Sequence, residues 1–142
     1  MNKLEIKNVV FCESIRPEIN GKYTLLGAAA PELNITLLPN LVLPAVIPVA
    51  LFITGVPSSV GAFAVEIRAL DVDGKQLIGG KLDGEFNGAA ITSIVLGTMP
   101  LQVEKEGDYV FEWNFGGDIW EGIETIRVNF LRPEVSIPVP TV

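Results

Sequence analysis

Histidine is absent from this chain of 142 residues, which removes the commonest general base and metal ligand. Cysteine occurs once, at Cys12, so no internal disulfide can form and nothing in the chain requires an oxidising compartment. A nucleophilic thiol needs a base or a cation beside it. Cys12 instead follows the apolar residues Val9, Val10 and Phe11, and a buried, inert thiol is expected. Basic residues are scarce. Ten Lys and Arg stand against seventeen Asp and Glu, for a formal net charge of −7. Seven of the acids lie between Glu104 and Glu124 with Lys105 the only base among them, a surface that repels a phosphate backbone and excludes nucleic acid as a partner.

The longest absence is of charge itself. No charged residue occurs between Glu32 and Glu66, a run of 33 positions. Such a run is a membrane span, a stretch of sheet buried on both sides, or a surface made to be covered. A spanning helix needs about 20 apolar residues with every backbone group satisfied inside the segment. Pro39, Pro44, Pro48 and Pro57 break that helix repeatedly, and no Lys or Arg cluster flanks the run to orient it. No membrane span is expected. Leu and β-branched residues fill the spaces between the prolines, as in strands joined by extended connections.

The length suits one domain with a real core, burying roughly 70% of its unfolded surface. The start MNKLEIKNVVF carries Glu5 and Lys7 where a signal peptide needs an apolar stretch, so a cytoplasmic location is the simplest expectation.

What is present reads as all-β. Segments rich in Val, Ile, Thr and Phe alternate with Gly, Pro, Asn and Asp, and no window sustains a helical apolar period. About eight strands are expected, at 4–13, 22–29, 47–54, 63–70, 75–82, 90–98, 108–115 and 124–131. Alternation is clean at Phe63–Ala69, where Glu66 and Arg68 share one face, at Tyr109–Phe115 and at Ile126–Phe130. One face in a core and one in water is the pattern of antiparallel sheets. Asp71-Val72-Asp73-Gly74 marks a hairpin, and Phe115-Gly116-Gly117-Asp118 marks a second. A single antiparallel β-sandwich over residues 1–132 is expected, immunoglobulin-like or a related Greek key. Residues 133–142, with three prolines, read as an extended tail.

Two patterns carry resemblances. Glu106-Gly107-Asp108-Tyr109-Val110-Phe111 resembles the entry to strand F of immunoglobulin-like domains, with Phe111 where a cysteine would stand. The resemblance implies a disulfide-free sandwich whose tyrosine hydroxyl bonds back to the backbone. At the front, Val10–Gly27 contains Phe11-Cys12-Glu13-x-Ile15-Arg16-x-Glu18-x-x-Gly21-Lys22. This stretch is similar to the opening of a family of small bacterial proteins of unknown function. It implies a β-sandwich and adds no activity.

Candidate sites follow from these patterns. Glu13, Arg16, Glu18 and Lys22 offer two ion pairs around a turn at Asn20-Gly21, which pin that turn or form a recognition patch for a carboxylate or a protein. Trp113 and Trp120, with the acidic loops, would serve a small-ligand or carbohydrate module, although core aromatics are the plainer reading. Asp71, Asp73, Asp83 and Glu85 sit at turns whose backbone demands explain them without chemistry. Position twelve counted from Asp71 is Leu82, where a calcium loop needs an acid, so calcium is not expected. No cofactor and no catalytic residue are assigned.

The uncharged run is the expected working surface, with Leu41, Leu43, Val46, Val49, Leu51 and Ile53 as interface residues. A second charge-free stretch, Phe86–Val103, adds to it. A strand facing water carries polar groups at alternate positions, and extended apolar patches mark interfaces. The expectation is a non-enzymatic module that forms a homo-oligomer or docks on a protein partner.

Overall fold

A computed structural model of the chain describes residues 2–88 and 90–133. The all-β expectation holds. Among the described residues ten strands form: β1 (Leu4–Cys12), β2 (Ser14–Pro17), β3 (Tyr23–Leu26), β4 (Glu32–Thr36), β5 (Ala45–Pro57), β6 (Gly61–Leu70), β7 (Gln76–Phe86), β8 (Thr92–Val103), β9 (Gly107–Asn114) and β10 (Glu121–Leu131). They make a three-stranded sheet ordered β1-β5-β8, a five-stranded sheet ordered β4-β10-β9-β6-β7, and the separate hairpin β2-β3.

Each of the eight expected segments overlaps a strand; β2 and β4 are additional. β4 also departs from the antiparallel expectation, because it pairs in parallel with β10. Parallel neighbours need a long crossover, and here the chain runs through β5, β6, β7, β8 and β9 before β10 returns beside β4. The tail expected over 133–142 lies, from residue 134 onward, outside the described residues.

The two larger sheets enclose one core. On the inner face of the three-stranded sheet, Val9 stands opposite Ile53, which stands opposite Ile94, and the next row is Phe11, Leu51 and Leu96. From the five-stranded sheet come Val65, Ile67 and Ala69 on β6, Tyr109, Phe111 and Trp113 on β9, and Ile126 and Val128 on β10. These are the alternate positions picked out by period-two patterning. Tyr109 brings a polar atom into this setting and satisfies it: its hydroxyl donates to the Lys105 carbonyl at 2.8 Å. A buried hydroxyl without such a partner costs about 1–3 kcal/mol, more than the net worth of the bond.

The outer face of the three-stranded sheet is partly roofed. After Cys12 the chain leaves the sheet, and the β2-β3 hairpin returns over it, with the Tyr23 ring 5.4 Å from that of Phe52. Thr98 donates to the Glu13 carbonyl at 3.3 Å at the same place. Cys12 and Ala50, on the outward side of their strands, are consequently buried. Asn20 and Gly21, both at φ 70°, let the hairpin reverse.

Candidate functional site

The front charged residues lie on the β2-β3 hairpin. Arg16 Nε donates to Glu18 Oε1 at 2.7 Å, and Thr24 Oγ1 donates to the same oxygen at 2.9 Å. The Arg16 bond, then the Thr24 bond, holds the Glu18 carboxyl below the usual carboxylate range. Glu13 and Lys22 do not join this cluster: among the described residues neither makes an ion pair. Glu13 instead lies against Gly27, where an added Cβ would stand 2.8 Å from its Cδ, at a φ of +68° that favours glycine. One of the two expected ion pairs is therefore present, and it braces the reversal between β2 and β3.

The expected ligand aromatics are not exposed side by side. Trp113 is 0% exposed, packed edge-on to Phe115 at 4.9 Å, so its assignment as a ligand contact is corrected. Its position on the inward phase of β9 puts it in the core. Trp120 is half-buried, and the Arg68 guanidinium covers its ring at 3.9 Å. A sugar would need that ring face for stacking. A shallow depression of about 400 Å³ lies beside it, lined in part by Gly79, Gly80 and Lys81. Arg68 is held there by Glu112 at 3.5 Å.

Of the four acids expected at turns, Asp71 and Asp73 are at one, whereas Asp83 and Glu85 are corrected to positions within strand β7, paired opposite Ala64 and Ala62. Asp71 Oδ1 accepts from the amides of Asp73 and Lys75, both at 2.9 Å, and closes the β6-β7 turn. Asp73 pairs with Lys105 at 2.7 Å, and that bond raises the lysine above its ordinary pKa. Among the described residues no three acids or thiols gather with metal-site spacing. Burial pushes the Cys12 thiol up, and its Sγ lies 3.7 Å from the Ala50 carbonyl. Both effects disfavour thiolate.

The uncharged run divides in two. Val49, Leu51 and Ile53 are 0% exposed and are corrected from interface to core. β5 is the central strand of its sheet, so both edges are paired along most of its length and its inward residues meet the opposite sheet. Leu41, Leu43 and Val46 are exposed. Leu41 and Leu43 belong to the connection between β4 and β5, together with Leu38 and with Val42, which is 81% exposed, and Val46 is the second residue of β5. Leu38 and Val42 are absent from the sequence-based set. The signal for them was available: residues 37–46 lack both charge and alternation, so no inward phase could absorb their apolar groups. Leu131 is also exposed beside them, its carbonyl accepting from the Leu37 amide at 2.7 Å. The result is an apolar shelf at one end of the molecule.

No helix among the described residues is long and apolar enough to cross a membrane. Neither a curated protein nor a solved structure matches the chain. A family described as a family of unknown function, DUF6941, matches residues 7–129, most of the sequence, and the chain belongs to it.

Proposed function

We propose that this member of a family of unknown function is a non-enzymatic, immunoglobulin-like β-sandwich that works as a self-associating structural module. The observation that carries the reading is the apolar shelf. Leu38, Leu41, Val42 and Leu43 are all exposed within one short uncharged connection, and Val46 is exposed at the start of the strand it leads into. Monomeric proteins rarely leave contiguous apolar surface of this kind in water, because covering it is favourable by about 25 cal/mol per Å². A second copy is the simplest cover, and a closed two-fold or ring needs no other component.

Strand order supports the sandwich type. With β1, β5 and β8 as A, B and E, and β6, β7, β9 and β10 as C, C′, F and G, the sheets follow the immunoglobulin arrangement. The Tyr109 bond to the Lys105 carbonyl supports the same likeness. A reduced, buried Cys12 is compatible with a cytoplasmic setting.

Sedimentation of the purified chain at micromolar concentration tests the proposal. An oligomer is expected, and Val42→Asp, which alters no buried residue, is expected to weaken it while far-UV dichroism stays unchanged. A monomer at that concentration sinks the self-association reading.

A further inference from the structure

The two larger sheets have four edges: β1 and β8 in one, β4 and β7 in the other. Open edges offer a row of unpaired donors and acceptors to any passing strand, and proteins blunt them with charge, brevity, proline or cover. Three of these edges are blunted. β1 carries Glu5 and Lys7, and Ala29 bridges it at Phe11. β4 is five residues long, and β7 carries Lys81, Asp83 and Glu85.

β8 differs. It runs for 12 residues without a charge. Its far part has its own protection: the register shifts opposite Val49 and Leu51, and Pro100 follows, opposite Pro48. Thr92–Leu96 has neither device. Among the described residues, the backbone of this segment pairs with β5 alone. In an ABED sheet a further strand would cover this edge. Among the described residues no such strand lies between β7 and β8.

We infer that Thr92–Leu96 is the pairing edge of a two-fold homodimer, in which β8 of one copy runs antiparallel to β8 of a second copy. The inference rests on the self-association reading but uses a different contact from the shelf, which adjoins the other end of β8, where Val103 faces Ala45. Charge selects the occupant. A second copy also carries −7, so contacts between charged faces repel, and an uncharged edge meeting its own twin does not. Sequence selects it too. Thr92, Ile94 and Val95 are β-branched and suit cross-strand pairs with themselves. Antiparallel pairing of one segment with itself is isologous and closes after two copies. The joined sheet extends the outer row Val10, Phe52 and Val95 across the axis. Ile91, 66% exposed at the mouth of β8, is drawn toward the partner.

Sedimentation and amide exchange on four proteins test this: wild type, Ser93→Lys, Ser93→Ala and Val42→Asp. Ser93 is exposed, so its replacement disturbs no core contact. Wild type is expected to dimerise, with the Thr92–Leu96 amides exchanging more slowly as concentration rises. Ser93→Lys adds one ammonium from each copy to the same outer face and is expected to raise the dimer dissociation constant roughly tenfold or more. Ser93→Ala is expected to keep the dimer. A dimer that survives Ser93→Lys, or β8 amides whose exchange ignores concentration, overturns the edge pairing. If Val42→Asp alone dissociates that dimer, the self-association reading survives without it. A monomeric wild type overturns both. Should Ser93→Lys fail to fold, the wild-type exchange decides.

Discussion

On the outer face of the five-stranded sheet, Glu66 faces Lys81 at 3.9 Å, Arg68 faces Glu112 at 3.5 Å, and Arg127 faces Asp108 at 3.2 Å. Each pair occupies directly opposed register positions. On the outer face of the three-stranded sheet the opposed positions hold Asn8, Thr54 and Ser93, then Val10, Phe52 and Val95. Both sheets obey the same alternation and bury the same kind of inner face. One is finished for water and the other for cover, supplied in part by the β2-β3 hairpin through Tyr23. The difference teaches that freedom from charge is no measure of being inside. The same run that supplies Leu51 to the core leaves Val42 in solvent.

That comparison can be broken most severely at the centre of the uncharged sheet. Leu51→Ala, made in dilute protein, is expected to cost about 2–5 kcal/mol by urea denaturation. A loss near zero would mean that β5 is an interface strand, and the division of the run would collapse. In the charged sheet, Tyr109→Phe deletes the hydroxyl bond to Lys105 and is expected to cost about 1 kcal/mol, as the carbonyl can turn to water. An unchanged denaturation midpoint would show that the corner bond contributes nothing.

The smallest effect concerns the roof over the three-stranded sheet. Burial raises the Cys12 pKa, so above the ordinary thiol value of about 8.5 the unfolded chain loses a proton that the folded chain keeps. The folded protein therefore binds more protons there. This contribution is complete below that value and is lost as pH rises through the folded one. Cys12→Ala is expected to remove this part of the alkaline decline. Native Cys12 should also react with a thiol reagent far more slowly than the urea-unfolded chain, and equal rates would remove the roof.

Much of the core was legible because period-two patterning is local. Val65, Ile67 and Ala69 against Glu66 and Arg68, and Tyr109, Phe111 and Trp113 against Glu112, could be sorted by counting along the chain. β4 was harder to see. Glu32-Leu33-Asn34-Ile35-Thr36 alternates, but it opens the uncharged run and merges with it by composition. β2 is four residues long, too short to show a period. Exposure within the uncharged run was half legible: Leu41, Leu43 and Val46 are exposed, whereas Val49, Leu51 and Ile53 carry the same chemistry and sit in the core.

Alternation, turn residues and proline spacing were sufficient to establish strands instead of a membrane helix, and to establish the inward side of most of them. These are properties of neighbours in sequence, set by side-chain phase and backbone sterics. Whether β5 lies at the centre or β8 at an edge was decided by pairing between distant segments. An uncharged strand satisfies either position equally well until its neighbours arrive. Burial of Leu51 and exposure of the Thr92–Leu96 edge are for that reason facts of tertiary structure.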